Sequence, residues 1–106
     1  MYTLQTTYLT RALKKRNNDG ICDSGSTLHC LCMDSPSIND HTNHRIIRAT
    51  QPDDAHITSS IQCDLKIPNL PPGTSTAYKF KTLVGNSLIS LPIFADQGCT
   101  ITLDKD

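Results

Sequence analysis

All ten acidic residues of this 106-residue chain are aspartates, and the chain contains no glutamate. Aspartate favours turns and helix caps, because its short side chain bonds to nearby backbone groups, whereas glutamate favours helix interiors. Threonine, serine and isoleucine are frequent, and β-branched residues suit strands. The composition therefore predicts a mainly β fold, built from short strands joined by turns.

Size and charge restrict the possible functions. A length of 106 residues allows one domain with a modest core, and domains of this size often depend on a partner subunit. Ten basic residues balance the ten acids, so no strong field favours nucleic acid or an anionic membrane. The basic run 14–16 is interpreted as solvated surface, with a cleavage or nucleic-acid role as the less favoured alternative. No apolar run matches a membrane span and no secretory signal is visible, so we expect a cytoplasmic protein that binds neither membrane nor nucleic acid directly.

The cysteines do not have the spacing of a metal site. Their number is five, and an odd number without a secretory signal indicates reduced thiols inside a cell. Cys30 and Cys32 are separated by one residue and lie near His29, His41 and His44, whereas paired zinc ligands are usually separated by about two to four residues. Free cysteine ordinarily behaves as a small hydrophobic residue. We therefore expect no metal and no cofactor.

Hydrophobic spacing and turn signals divide the chain into short elements. An apolar stripe in residues 1–16 predicts a helix, although the threonines there argue equally for a strand. Residues 1–18 are thus interpreted as an N-terminal extension with helical potential, and residues 19–106 as the folded domain. A short helix is predicted within residues 86–96, capped by Ser87 and beginning late, because Pro92 is tolerated only near its start. Strands are predicted at 19–23, 45–50, 55–67, 76–84 and 99–103, a turn at 51–54, and loops at 28–44 and 68–73.

The segment 23–27 is the most informative motif. Asp23 follows a short apolar pair at the end of a predicted strand, and Ser24, Gly25, Ser26 and Thr27 come next. An aspartic-protease half-site requires an acid, a hydroxyl residue and a glycine in this order. The strand delivers the carboxylate, the hydroxyl can cross-link the turn, and the glycine lets the backbone approach the acid. Asp-Ser-Gly is also a common turn composition, and the tripeptide alone favours an exposed loop.

The order of motifs along residues 19–104 is more specific than this tripeptide. After the Asp-Ser-Gly motif come a predicted hairpin, two apolar residues and a glycine at 83–85, a short helix and a final strand. This order resembles the retropepsin family, the single-domain aspartic proteases of retroviruses and retrotransposons. It is most similar to the protease region of copia-type retrotransposon polyproteins. The segments that carry the copia likeness are 52–54, 65–71, 88–90 and 96–99.

The resemblance implies a retropepsin-like half-barrel with one short helix near the C-terminus. It also implies a homodimeric aspartic endopeptidase that processes a retroelement polyprotein, so its partners would be a peptide substrate and a second copy. Two copies would pair about a two-fold axis so that both Asp23 carboxylates face one water, one carboxyl staying protonated while the other activates the water. Strand 100–103 would join its symmetry mate. The implied roles are catalytic for Asp23, Ser24 and Gly25, substrate-binding for Pro52, Asp53, Asp54 and Ala55, and support of the site for Ser26, Thr27, Leu83, Val84 and Gly85.

Two departures from the family pattern keep a second hypothesis open. The tip of the predicted hairpin carries two acids where the family usually has glycine, and the stretch after Thr27 is rich in cysteine and histidine. The alternative is a catalytically inactive, retrotransposon-derived remnant that acts as a dimerising or interaction module. A thiol enzyme that uses Cys30 or Cys32 with His29 or His56 is disfavoured, because the spacing supplies no base for the nucleophile.

Overall fold

The computed structural model describes residues 3–14, 19–50, 54–83 and 86–103. Within these ranges the chain is mainly β, as the composition predicts. Its elements are β1 (Thr3–Gln5), α1 (Thr6–Ala12), β2 (Ile21–Asp23), β3 (His29–Cys32), β4 (Ser37–Thr50), β5 (His56–Leu65), β6 (Thr76–Phe80), β7 (Leu88–Ser90), α2 (Leu91–Asp96) and β8 (Thr100–Thr102).

Six of the strands form one mixed sheet in the order β2-β7-β3-β6-β5-β4. Strand β7 lies between β2 and β3, and it pairs parallel with β2 and antiparallel with β3. Strand β3 runs parallel to β6, whereas β4, β5 and β6 pair antiparallel with one another in sequence order. Asp23, at the end of β2, is in register with Ser90, at the end of β7. The turn that joins β2 to β3 therefore lies beside the end of β7, a strand that comes more than sixty residues later in the sequence.

The prediction of a loop over residues 28–44 is wrong. The four residues of β3 are all buried, because both faces of this central strand are covered: Leu31 packs into one hydrophobic cluster, and Cys30 and Cys32 pack into another. Such a run lacks the alternation of polar and apolar residues that marks a half-buried strand. Strand β4 begins already at Ser37, and its pairing with β5 shifts register between Ile38 and His41. Asn39 adopts a positive φ of 58° at this irregularity, so residues that resemble a turn are accommodated inside a bulged strand.

The N-terminal segment packs with the rest of the chain. Strand β1 (Thr3–Gln5) pairs parallel with β8, and the helix predicted over 1–16 spans only Thr6–Ala12. Leu9 and Leu13 are fully buried in the same hydrophobic cluster as Ile89 and Phe94. The segment 3–14, which lies within the predicted extension, thus contributes Leu4, Leu9 and Leu13 to the main core. The folded domain therefore contains helix α1 in addition to the one short helix expected near the C-terminus.

Helix α2 begins late, as the position of Pro92 in its first turn requires. Its N-cap is Ser90, and the prediction that Ser87 is the cap is wrong. Ser87 is instead buried at the entry to β7, where its Oγ accepts the backbone N–H of Cys32 at 2.8 Å and lies 2.5 Å from the Oγ of Ser35. The chain after α2 turns at Gly98, which has a φ of +82°.

Candidate functional site

The turn after β2 holds the Asp23 carboxylate in a defined position. Asp23 is half-buried at the end of β2, and the backbone N–H of Gly25 donates to its Oδ1 at 2.8 Å. A Cβ at position 25 would lie 3.4 Å from the same oxygen, which is an ordinary contact. The hydrogen bond, rather than crowding, is therefore the main link between Gly25 and the acid. Ser26 closes the turn, since its Oγ donates to the carbonyl of Leu28 at 2.6 Å.

A chain of hydrogen bonds connects this turn to the N-terminus of helix α2. The hydroxyl of Ser90 donates to the carbonyl of Ser26 at 2.5 Å. The backbone N–H of Ser90 donates to Nδ1 of His29 at 3.0 Å, and Nε2 of His29 lies 2.8 Å from the carbonyl of Thr74. Three segments that are distant in sequence, around residues 26–29, 74 and 90, therefore meet behind the Asp23 turn.

His29 is the buried centre of this chain of bonds. Its side chain is 0% exposed, and its ring lies 5.2 Å from the ring of Phe94, centroid to centroid. Burial lowers the pKa of His29 to about 4, although the hydrogen bond to the Thr74 carbonyl acts in the opposite direction. Because a carbonyl only accepts, Nε2 carries the proton and Nδ1 is the acceptor for Ser90. The neutral imidazole is thus the form that fits its partners.

Asp23 opens onto a cleft of about 950 Å³ between the turn and the β4–β5 hairpin. On the hairpin side the cleft is lined by Arg48, Ala49, Thr50 and Ile57, and Cys30 lines it as well. Burial, with a smaller contribution from the nearby Asp23 charge, raises the pKa of the Cys30 thiol to about 11. This cysteine is therefore a thiol that lines the cleft and not an activated nucleophile.

The structure brings only some of the predicted site residues together. Those that line the cleft are Asp23, Gly25, Ser26, Thr27 and Leu83. Ser24 is exposed, and it has no hydrogen-bond partner among the described residues. Asp54 and Ala55 are exposed beside the hairpin and do not line the cleft, and Asp54 has a positive φ of 66°. The predictions for Pro52, Asp53, Val84 and Gly85 lie outside the described residues.

The residues that directly support the turn were not predicted from the sequence. Strand β7 pairs with the strand that carries Asp23. Ile89 is fully buried opposite Cys22, and Ser90 is in register with Asp23. One available signal was the serine directly before Leu91-Pro92, a typical N-cap position. His29 left no such signal, since both of its partners are distant in sequence.

No protein-family model matches this chain, and comparisons with curated proteins and with solved structures find no match either. Within the described ranges, no group of three or more histidine, cysteine or aspartate side chains is placed to hold a metal ion. Neither α1 nor α2 has the length and apolar character needed to cross a membrane. The functional assignment therefore depends on the geometry around Asp23.

Proposed function

We propose that this chain is one subunit of a homodimeric, retropepsin-like aspartic endopeptidase. The observation that carries the proposal is the position of Asp23. The end of a strand presents its carboxylate to a large cleft, and the Gly25 N–H donates to that carboxylate at 2.8 Å. The cleft lies between this turn and a long hairpin, which is a suitable shape for an extended peptide.

A second copy is needed because the chemistry requires two carboxyl groups. Asp23 is the only carboxylate among the described residues that line the cleft. Two such carboxyl groups in close proximity share one proton, so one remains an acid while the other is ionised. The ionised carboxylate takes a proton from a water molecule, the water oxygen attacks the peptide carbonyl, and the protonated carboxyl stabilises the developing oxyanion.

The polypeptide substrate is proposed to be a retroelement polyprotein, on the basis of the motif order. An intracellular site of action agrees with the five cysteines, none of which forms a disulfide bond within the described residues. The exposed Ser24 hydroxyl is available to bond to the second subunit beside the paired acids.

One observation favours the second candidate, an inactive remnant that dimerises. Asp54 places an exposed carboxylate next to the hairpin tip, in the left-handed region of φ that glycine adopts most readily. A charged residue with this backbone conformation is poorly suited to a segment that must close over a peptide. A remnant of this kind retains the fold and the dimer without cleaving peptides.

A cleavage assay with an isosteric variant distinguishes these candidates. The purified chain is incubated with a peptide library between pH 4 and pH 7, and its mass in solution is measured under the same conditions. Asp23→Asn retains an oxygen for the Gly25 N–H but removes the titratable carboxyl, so activity is expected to be lost. Asp96→Asn, at an exposed position on α2, is the matched control and retains activity.

Two outcomes would contradict the endopeptidase proposal. Cleavage that survives Asp23→Asn would exclude the aspartic mechanism. A dimer that cleaves no peptide of the library would favour the inactive remnant.

A further inference from the structure

The hydrogen-bonded chain behind the active-site turn gives His29 and Ser90 a specific task. We infer that they are positioning residues that hold the Asp23 turn in its catalytic geometry, an inference that rests on the proposed function. Neither residue lines the cleft, so each would act through the backbone of the turn. The Ser90 hydroxyl bonds to the carbonyl of Ser26, which follows the Gly25 that donates to Asp23.

The orientation of these bonds follows from the donors and acceptors present. The Thr74 carbonyl accepts from Nε2–H of His29, which leaves Nδ1 as an acceptor for the Ser90 N–H. The His29 ring is thereby fixed at both ends, and it fixes the backbone of Ser90. Helix α2 begins at the next residue, so the N-cap serine would ordinarily bond to the first turn of that helix. Its hydroxyl bonds instead to the turn that carries Asp23.

A purely structural histidine does not explain this arrangement as well. A buried imidazole must have both nitrogens hydrogen-bonded, and an apolar side chain of similar size fills the same space without that requirement. His29 instead joins Thr74 to Ser90, and Ser90 lies in register with Asp23. A displacement of Ser90 therefore moves the Ser26 carbonyl and the turn beside the reacting group. Small displacements of catalytic groups lower the rate of the chemical step more than they weaken substrate binding.

Two amide substitutions at position 29 separate the two bonds. In His29→Asn the side-chain oxygen takes the position of Nδ1 and can accept the Ser90 N–H, while the bond to Thr74 is lost. In His29→Gln the side-chain amide takes the position of Nε2 and can donate to Thr74, while the bond to Ser90 is lost. Each variant loses one hydrogen bond, so a merely structural role predicts similar effects of both on stability and on activity. Ser90→Ala removes the link to Ser26 directly.

The inference predicts different effects on kcat. His29→Gln and Ser90→Ala are expected to lower kcat about tenfold, the change that corresponds to one lost hydrogen bond, with KM changed less than about twofold. His29→Asn is expected to stay within about threefold of the original kcat. Equal losses in His29→Asn and His29→Gln would overturn the inference.

A second measurement does not depend on activity. The exchange of the Gly25 amide proton with water, measured by NMR, reports how firmly this amide is held on the Asp23 carboxylate. We expect the exchange to become about tenfold faster in His29→Gln and in Ser90→Ala, but not in His29→Asn. If the chain cleaves no peptide, the endopeptidase proposal fails, and the exchange rates still decide the role of His29 and Ser90. An unchanged exchange rate of the Gly25 amide in His29→Gln and Ser90→Ala would overturn the positioning role of His29 and Ser90.

Discussion

Acidification is expected to destabilise this fold through the buried His29. Burial lowers the pKa of the folded state to about 4, whereas a histidine in an unfolded chain has a value of about 6.5. Between these two values the unfolded chain binds a proton that the folded chain does not bind. The free energy of unfolding therefore falls as the pH is lowered from about 6.5 to about 4, and this contribution levels off below pH 4.

The size of the effect follows from the interval between the two pKa values. At about 1.4 kcal/mol for each tenfold change in proton affinity, the loss is about 3 kcal/mol. A domain of this size has a total stability of about 5–15 kcal/mol, so this loss is a substantial part of it. This loss of stability occurs in the acidic pH range in which a pair of aspartic carboxyl groups shares one proton. The proposed enzyme is thus expected to lose its fold on the acid side of its active range.

Urea denaturation at several pH values between 4 and 7 measures this contribution, with one protein concentration throughout because dimer formation also changes stability. His29→Asn cannot titrate and retains an acceptor for the Ser90 N–H. The unfolding free energy of the chain with His29, minus that of this variant, is expected to fall by about 3 kcal/mol between pH 7 and pH 4.

The comparison between the two chains cancels other titrating groups, among them Asp40, whose pKa is lowered mainly by its hydrogen bond to Lys79. The same substitution at the exposed His56 controls for the replacement itself. A difference in stability that stays constant from pH 7 to pH 4 would refute the reasoning, as would a His29 resonance that titrates near pH 6.5.

Three further predictions concern stability and reactivity. Leu9→Ala is expected to destabilise the fold by about 2–5 kcal/mol, because Leu9 is fully buried. Tyr8→Ala, on the exposed side of α1, should lower the unfolding free energy by about 0.5 kcal/mol or less. Equal losses for the two variants in urea denaturation would contradict the packing of α1. Gly20→Ala places a Cβ 3.0 Å from the Cβ of Leu13 in the core and should therefore lower the unfolding free energy by about 1–3 kcal/mol. An unchanged urea midpoint would exclude this contact. Burial raises the pKa of the Cys30 thiol to about 11, so at pH 8 it should react with iodoacetamide about 100-fold more slowly in the folded chain than in urea. Equal rates of modification, measured by mass spectrometry, would disprove its burial.

Local rules explain which predictions from sequence were successful. The strand that ends at Asp23 and the strand within 55–67 are confirmed. Both could be predicted because the signal for a strand, an apolar run bounded by turn residues, depends only on neighbours in sequence. The late start of α2 is confirmed for the same reason, since Pro92 restricts its own backbone. The close approach of the Gly25 backbone to Asp23, two residues away, was predicted too, and the Gly25 N–H makes it by donating to the carboxylate.

Features that depend on distant partners were missed. Strand β3 was predicted as a loop, because its four buried residues are stabilised by strands β6 and β7, which come much later in the chain. The pairing of β7 beside the strand that carries Asp23 was likewise not predicted. Short apolar segments with similar composition compete for such positions, and pairing across the sheet decides between them.

The amino-acid sequence by itself determined a mainly β chain and a turn that presents one carboxylate at the end of a strand. Both depend on aspartate, glycine and β-branched residues, whose preferences act over a few bonds. Only the tertiary structure decided what lies behind that turn. The partners of His29 are 45 and 61 residues away in sequence, and a hydrogen bond of that range exists only once the sheet has brought its strands together.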